Sequence, residues 1–292
     1  MQVSELIKKL RELELTSLKH AHSLLTGEYI TSIPGKGMQF LEARKYVYGE
    51  SIRLIDWNMT ARLGEPYVKS LHDEREREVV IALDISPSMY TGFQMKTKIE
   101  LAIEIAATIA ISAIQSKDKL GYILFSDKTV EYFKPTSGKI QLFRTLKTFL
   151  QFSEQVPDSN SGSDIKAALK TLQKFKKNRL VVFIISDFLD NDMPDDLRYI
   201  RCEHDINFIH VYDTIEYQWS NHIFLPAISS EKNANSFNTG FIHPGQILSL
   251  EKVIKNLKDL TQKFKISSTS ISTKDDIGKS LKEFFHKKRR VT

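Results

Sequence analysis

An apolar run, VVIAL, ends in Asp84, and Ser86 and Ser88 follow at alternate positions. One carboxylate and two hydroxyls so spaced make a poor core and a good ligand set for a hard cation, which prefers oxygen. A second apolar run, Arg179–Ser186, is followed by another acid, Asp187. Between the runs, the polar stretch PDSNSGSD offers Ser163 and Asp164 directly before a helical pattern. Singly, each feature has a duller reading, because an acid or serine after a strand often caps the next helix or forms a turn. Jointly, they lie at the ends of two expected central strands and in one intervening loop. That convergence points to a divalent-cation site on Asp84, Ser86, Ser88, Ser163 and Asp187. The ion is Mg²⁺, or else Mn²⁺ or Ca²⁺. Two carboxylates neutralise it, and three hydroxyls orient it at little cost in charge. A helix N-terminus after Ser88 is expected to add positive potential.

The elements that must position these residues follow from the apolar pattern. Residues 2–26 carry Leu6, Leu10, Leu13, Leu18 and Leu24 at helical spacing. A turn-rich connector, IPGKGMQF, and short β-like runs, YVYG and PYVKSL, lead to residue 77. This first portion, residues 1–77, is expected to pack on a main domain of residues 78–292. From Val79 onward strands alternate with helices. Strands are expected at 79–84, 120–125, 129–134, 179–186 and 206–212. Helices are expected at 96–115, 140–152, 164–175, 194–202, 246–263 and 275–286, with a short strand before the last. Hairpin strands are expected at 222–228 and 237–241. Such alternation predicts an α/β fold with a doubly wound, mostly parallel sheet covered on both faces. The strand at 129–134 is the exception. Three residues, Ser126 to Lys128, join it to its predecessor, and so short a link joins only antiparallel neighbours. In open sheets of this kind, ligands sit beyond the carboxyl ends of the strands where strand order reverses.

Composition narrows the classes. The 292 residues are 41% hydrophobic and 27% charged, as in a globular protein, and the net charge of +6 is scattered along the chain. The single cysteine, Cys202, excludes an intrachain disulfide and a cysteine-based zinc site. The N-terminus lacks a signal-peptide core. The longest apolar stretch, LAIEIAATIAISAI, contains Glu104 and falls short of the roughly 20 residues a membrane span needs. A cytoplasmic protein is the resulting expectation.

Asp84, Ser86 and Ser88, then Ser163, then Asp187 resemble the metal-ion-dependent adhesion site of von Willebrand factor type A domains. That pattern is Asp-x-Ser-x-Ser, a distant Thr and a distant Asp; Ser163 stands where the family has Thr and keeps its hydroxyl. The resemblance implies a type A fold over residues 78–290 and an acidic side chain from a protein partner completing the metal shell. The upstream segment resembles the domain of unknown function 58 family. The residues that carry this are Gly35, Gly37, Phe40, Arg44, Tyr46, Gly49, Glu50, Arg53, Ile55, Asp56, Trp57, Ala61 and Arg62. It implies an adaptor or chaperone-like partner of a MoxR-type AAA+ ATPase, not a catalyst. Within the segment, Arg44, Arg53, Asp56, Trp57 and Arg62 are expected to form a structural ion-pair and stacking network.

Other signals carry less. A Mg²⁺-dependent phosphohydrolase at the same strand end is the alternative function, but it needs a second acid where Ser86 stands. Thr136–Lys139 lacks the upstream glycine of a P-loop, and Gly35-x-Gly37 lacks both strand and third glycine. The eight histidines form no His-Glu-x-x-His pair. The basic tail HKKRR reads as a solvated terminus, and no aromatic-interleaved basic patch points to nucleic acid.

Overall fold

The computed structural model describes residues 3–25, 39–47, 51–52, 55–72, 76–92, 96–155, 162–175, 179–189, 194, 196–214 and 250–291. These divide into two units, one of Met1–Thr31 with Glu78–Thr292 and one of Ser32–Arg77. The expected division at residue 77 therefore shifts. Helix α1 (Val3–Leu25) belongs to the larger unit, where it packs against α3 (Lys98–Gln115), α4 (Lys139–Ser153) and α8 (Ile277–Val291). Its buried stripe is Leu13, Ser17 and Ala21, spaced four residues apart on one face. The small side chains at positions 17 and 21 suit a close helix approach, which the leucine count did not reveal.

The smaller unit holds β1 (Gln39–Lys45) antiparallel to β2 (Tyr67–His72), with α2 (Trp57–Leu63) between them. The expected strand in YVYG is displaced to β1, and α2 was not expected. Asp56 caps α2 by accepting from the Asn58 and Met59 N–H groups, and Gly64 closes it in the left-handed region at φ 74°.

In the larger unit, six strands run in the order β5-β4-β3-β6-β7-β8. They are β3 (Glu78–Asp84), β4 (Lys119–Phe125), β5 (Thr129–Thr136), β6 (Leu180–Ser186), β7 (Asp205–Tyr212) and β8 (Ser267–Ser272). Among these described strands only β5 is antiparallel to its neighbour. The fold is thus the expected doubly wound α/β sheet with one antiparallel edge strand. Gly121 lets β5 approach β4, because a Cβ there would sit 2.7 Å from the Phe133 carbonyl oxygen.

Alternation along the strands builds two cores. Val80, Ala82, Val182 and Ile184 face α5 (Ile165–Leu172), α6 (Leu197–Glu203) and α7 (Leu250–Phe264) through Leu169, Leu197 and Leu257. On the opposite face Phe183 meets Phe285 of α8, and Tyr122 meets Phe149 of α4, both edge to face. Strand β6 is buried at all seven positions, so its apolar run reads on both faces. The hairpin strands expected at 222–228 and 237–241 lie outside the described residues.

Candidate metal centre

Strand β3 is followed in sequence by β4 on one side, while β6 lies on its other side, so strand order reverses between β3 and β6. Asp84 ends β3 and Asp187 follows β6, which puts both acids at that crevice. Asp84 is wholly buried. Its Oδ1 accepts from the Ser86 N–H at 2.8 Å, and its Oδ2 accepts from Ser163 Oγ at 2.7 Å and Ser186 Oγ at 2.6 Å. Ser86 Oγ and Ser88 Oγ lie 3.1 Å apart. Asp187, 1% exposed, accepts from the ammonium of Lys98 at 3.0 Å, and Lys98 is equally buried.

These contacts separate the capping reading from the ligand reading. Ser86 sits at the N-cap position of a short 3₁₀ turn, Pro87–Tyr90, yet its side chain makes no cap hydrogen bond. Asp164 caps α5 by accepting from the Lys166 N–H, and Ser163 is left to turn its hydroxyl to Asp84. The loop is held by the Asp164 N–H, which donates to the Ser126 carbonyl at the end of β4. The expected helix dipole after Ser88 is corrected. One 3₁₀ turn follows there, and the long helix begins only at Lys98, behind the Thr97 capping box.

Electrostatics set the two acids apart. Burial, reinforced by the charge of Asp187, raises the Asp84 carboxyl to about 6, against the pull of its three donors. Burial would raise Asp187 as well, but the Lys98 ammonium and the Ser88 hydroxyl outweigh it and hold that carboxyl below its ordinary range. Burial lowers His210, on the neighbouring strand, to about 4. Its Nδ1 meets Ser270 Oγ at 3.1 Å. Burial and the Asp84 charge push the Tyr90 phenol up to about 12. Asp187 is followed by Phe188, a non-glycine residue at φ 48°, whose ring packs 4.9 Å from Phe208 and whose N–H donates to Ser186 Oγ. Left-handed backbone at such a residue costs about 1 kcal/mol, which the burial of its ring offsets.

The donor set suits a hard divalent cation. Its five side chains all present oxygen, the donor such an ion prefers, although the described residues hold no cluster of three or more His, Cys, Asp and Glu placed to bind a metal ion. Adjacent ligands of an octahedral ion at magnesium distances lie about 3.0 Å apart, close to the 3.1 Å between the Ser86 and Ser88 hydroxyls. Three participants were not singled out from sequence: Lys98, Ser186 and His210. Lys98 had a usable signal. It shares a helix face with Leu101, Ala102 and Ile105, all buried, so a cation at that position had to find an acid.

The proposed network of the smaller unit is less visible. Arg44 and Arg62 are exposed, Arg53 lies outside the described residues, and Asp56 acts as the α2 cap. Trp57, at the start of the two-turn helix α2, is 65% exposed.

The model of the family described as protein of unknown function DUF58 matches residues 42–222, more than half of the chain. An uncharacterized protein of Mycobacterium tuberculosis is 30% identical over 210 residues, covering 72% of this chain and 66% of that protein. The chain thus matches about two thirds of that relative's length. Among solved structures, an aerotolerance-related membrane protein from Bacteroides fragilis is 16% identical with a TM-score of 0.48, covering 73% of this chain and 99% of the other. The SpRpn10 VWA domain is 14% identical with a TM-score of 0.38, covering 72% of this chain and 94% of the other. Set against the expectation of a cytoplasmic protein, the Bacteroides fragilis protein is described as a membrane protein. No helix among the described residues is long and apolar enough to cross a membrane. On the family match and the strand order, the chain belongs to the DUF58 family, and its larger unit has the von Willebrand factor type A fold.

Proposed function

We propose that this protein is a metal-dependent interaction module rather than a catalyst. Asp84, Ser86, Ser88, Ser163 and Asp187 would hold a divalent cation, Mg²⁺ or else Mn²⁺ or Ca²⁺. Bound there, the ion would neutralise the two carboxylates and offer a coordination position to an acidic side chain of a protein partner. The observation that carries this reading is the gathering of Ser163, Ser86 and Ser88 around the Asp84–Asp187 pair, with Ser86 and Ser163 both released from capping duty. The partner most consistent with the family resemblance is a MoxR-type AAA+ ATPase or its client, which this chain would serve as an adaptor.

The phosphohydrolase alternative finds no support in the geometry. An aspartyl nucleophile needs an acid–base partner, and Ser86 occupies the position of the needed acid. The test is binding of purified protein to a MoxR-type ATPase of the same organism. Association should occur in Mg²⁺, disappear in chelator, and fail with Asp84→Ala. Association that survives both chelator and the substitution would refute the metal-dependent reading.

A further inference from the structure

We propose that Lys98 is a built-in rival of the cation, and that its ammonium makes metal binding depend on the arrival of a partner's carboxylate. This inference rests on the metal reading above and names the residue that tunes it. The Lys98 backbone is fixed at the first position of α3, inside the capping box that Thr97 and Glu100 form. Its side chain runs inward, and its ammonium lies 3.0 Å from Asp187 Oδ2, with both groups 1% exposed. A lysine buried to this degree is uncommon and persists only when paired.

Charge counting gives the consequence. Among Asp84, Asp187 and Lys98 there are two negative charges and one positive, so with both acids ionised this trio stands at minus one without the ion. A divalent cation takes it to plus one. A visiting carboxylate alone takes it to minus two. Cation and carboxylate together bring it to zero. Unbalanced buried charge is unfavourable in each partial state and absent only in the ternary one. Metal and carboxylate therefore bind cooperatively, and by linkage each raises the affinity of the other by the same factor. Replacing Lys98 with a neutral side chain shifts every state by one charge. The metal-loaded site then balances without any carboxylate.

The experiment measures Mn²⁺ binding to the full chain by the loss of free-ion paramagnetic resonance signal at neutral pH, with and without excess acetate as carboxylate probe. Wild type, Lys98→Met and Lys98→Gln are compared. Gln keeps a hydrogen-bond donor toward Asp187 and serves if the Met variant fails to fold. In wild type, acetate should tighten Mn²⁺ binding about tenfold, within the usual range of coupling between sites. Without acetate, the neutral variant should bind Mn²⁺ about tenfold more tightly than wild type, and acetate should no longer help it. Equal acetate-free affinities, or an equal acetate effect in both proteins, would overturn the role of Lys98 while leaving the metal site standing. No Mn²⁺ binding by either protein, even with acetate, would overturn the metal reading and this inference together.

Discussion

Two lysine–aspartate pairs, one wholly buried and one largely so, lie at opposite ends of the same sheet, and they are built differently. Near the start of β7, Lys288 of α8 donates to Asp205 Oδ2 at 2.7 Å and Oδ1 at 2.9 Å, and to Asn207 Oδ1 at 2.6 Å. Asn207 in turn donates to the Val182 carbonyl of β6. Here the lysine meets a carboxylate and a neutral amide side by side. Beyond the far end of β6, Lys98 meets Asp187 while Asp84 presses a second carboxylate against the pair. The balanced pair fastens the last helix to the sheet. The unbalanced one leaves a surplus of negative oxygen in a buried crevice, which is the condition for recruiting a cation. What separates a structural ion pair from a candidate site in this molecule is not burial but the charge count around it.

The sharpest way to break this contrast is to remove one acid from each end. Asp205→Asn removes the carboxylate that Lys288 grips with two bonds and should cost about 2 kcal/mol, somewhat less than a fully buried pair. Urea denaturation in chelator would show it, and added Mg²⁺ should not restore the loss.

Asp84→Asn should have the opposite sign, because it leaves Lys98 and Asp187 as a balanced pair. The unfolded chain releases the Asp84 proton near 3.8, whereas the folded protein holds it to about 6. Ionisation of Asp84 therefore erodes stability as pH rises between these values, and the erosion is complete above them. Metal-free Asp84→Asn should match wild type near pH 4 and exceed it by on the order of 2 kcal/mol at pH 7. His210 acts in the reverse sense. It is neutral when folded and lowered to about 4, so it contributes stability that fades as pH falls from 6.5 toward that value. In wild type the two slopes oppose each other, and the Asn variant should expose a rise of stability with pH. Denaturation midpoints measured across this range would decide it; a wild-type protein more stable than the variant at pH 7 without metal would refute the surplus-charge reading.

Smaller effects sharpen the picture. Ser163→Ala removes a hydroxyl bonded to a buried carboxylate and should cost about 1.5 kcal/mol, whereas Ser163→Thr should retain the bond and most of the stability. Thr97→Ala removes the cap that fixes the start of α3 and should cost about 1 kcal/mol. Thermal melting is sufficient for both comparisons.

Much of the frame was legible because its physics is local. The runs VVIAL and LVVFII mark strands buried on both faces, and the three-residue link before Thr129 forces an antiparallel neighbour. The alternation at Asp84, Ser86 and Ser88 marked a strand end with chemistry in it. The rest depended on long-range meetings. Lys98 reaches an acid 89 positions away, and Ser186 reaches one 102 positions away. Helix α1 was assigned to the wrong segment because its docking face relies on Ser17 and Ala21, residues whose value is small volume rather than hydrophobicity. The cap that Asp56 makes for α2 is another local device that its sequence neighbours left unannounced.

The most direct test of the central claim is anomalous diffraction from crystals of the protein grown with Mn²⁺ and acetate. The account predicts one strong peak at the β3–β6 crevice, bonded to the Ser86 and Ser88 hydroxyls, with Asp84, Ser163 and Asp187 around it. A crevice without a peak in crystals that carry Mn²⁺ elsewhere would contradict it.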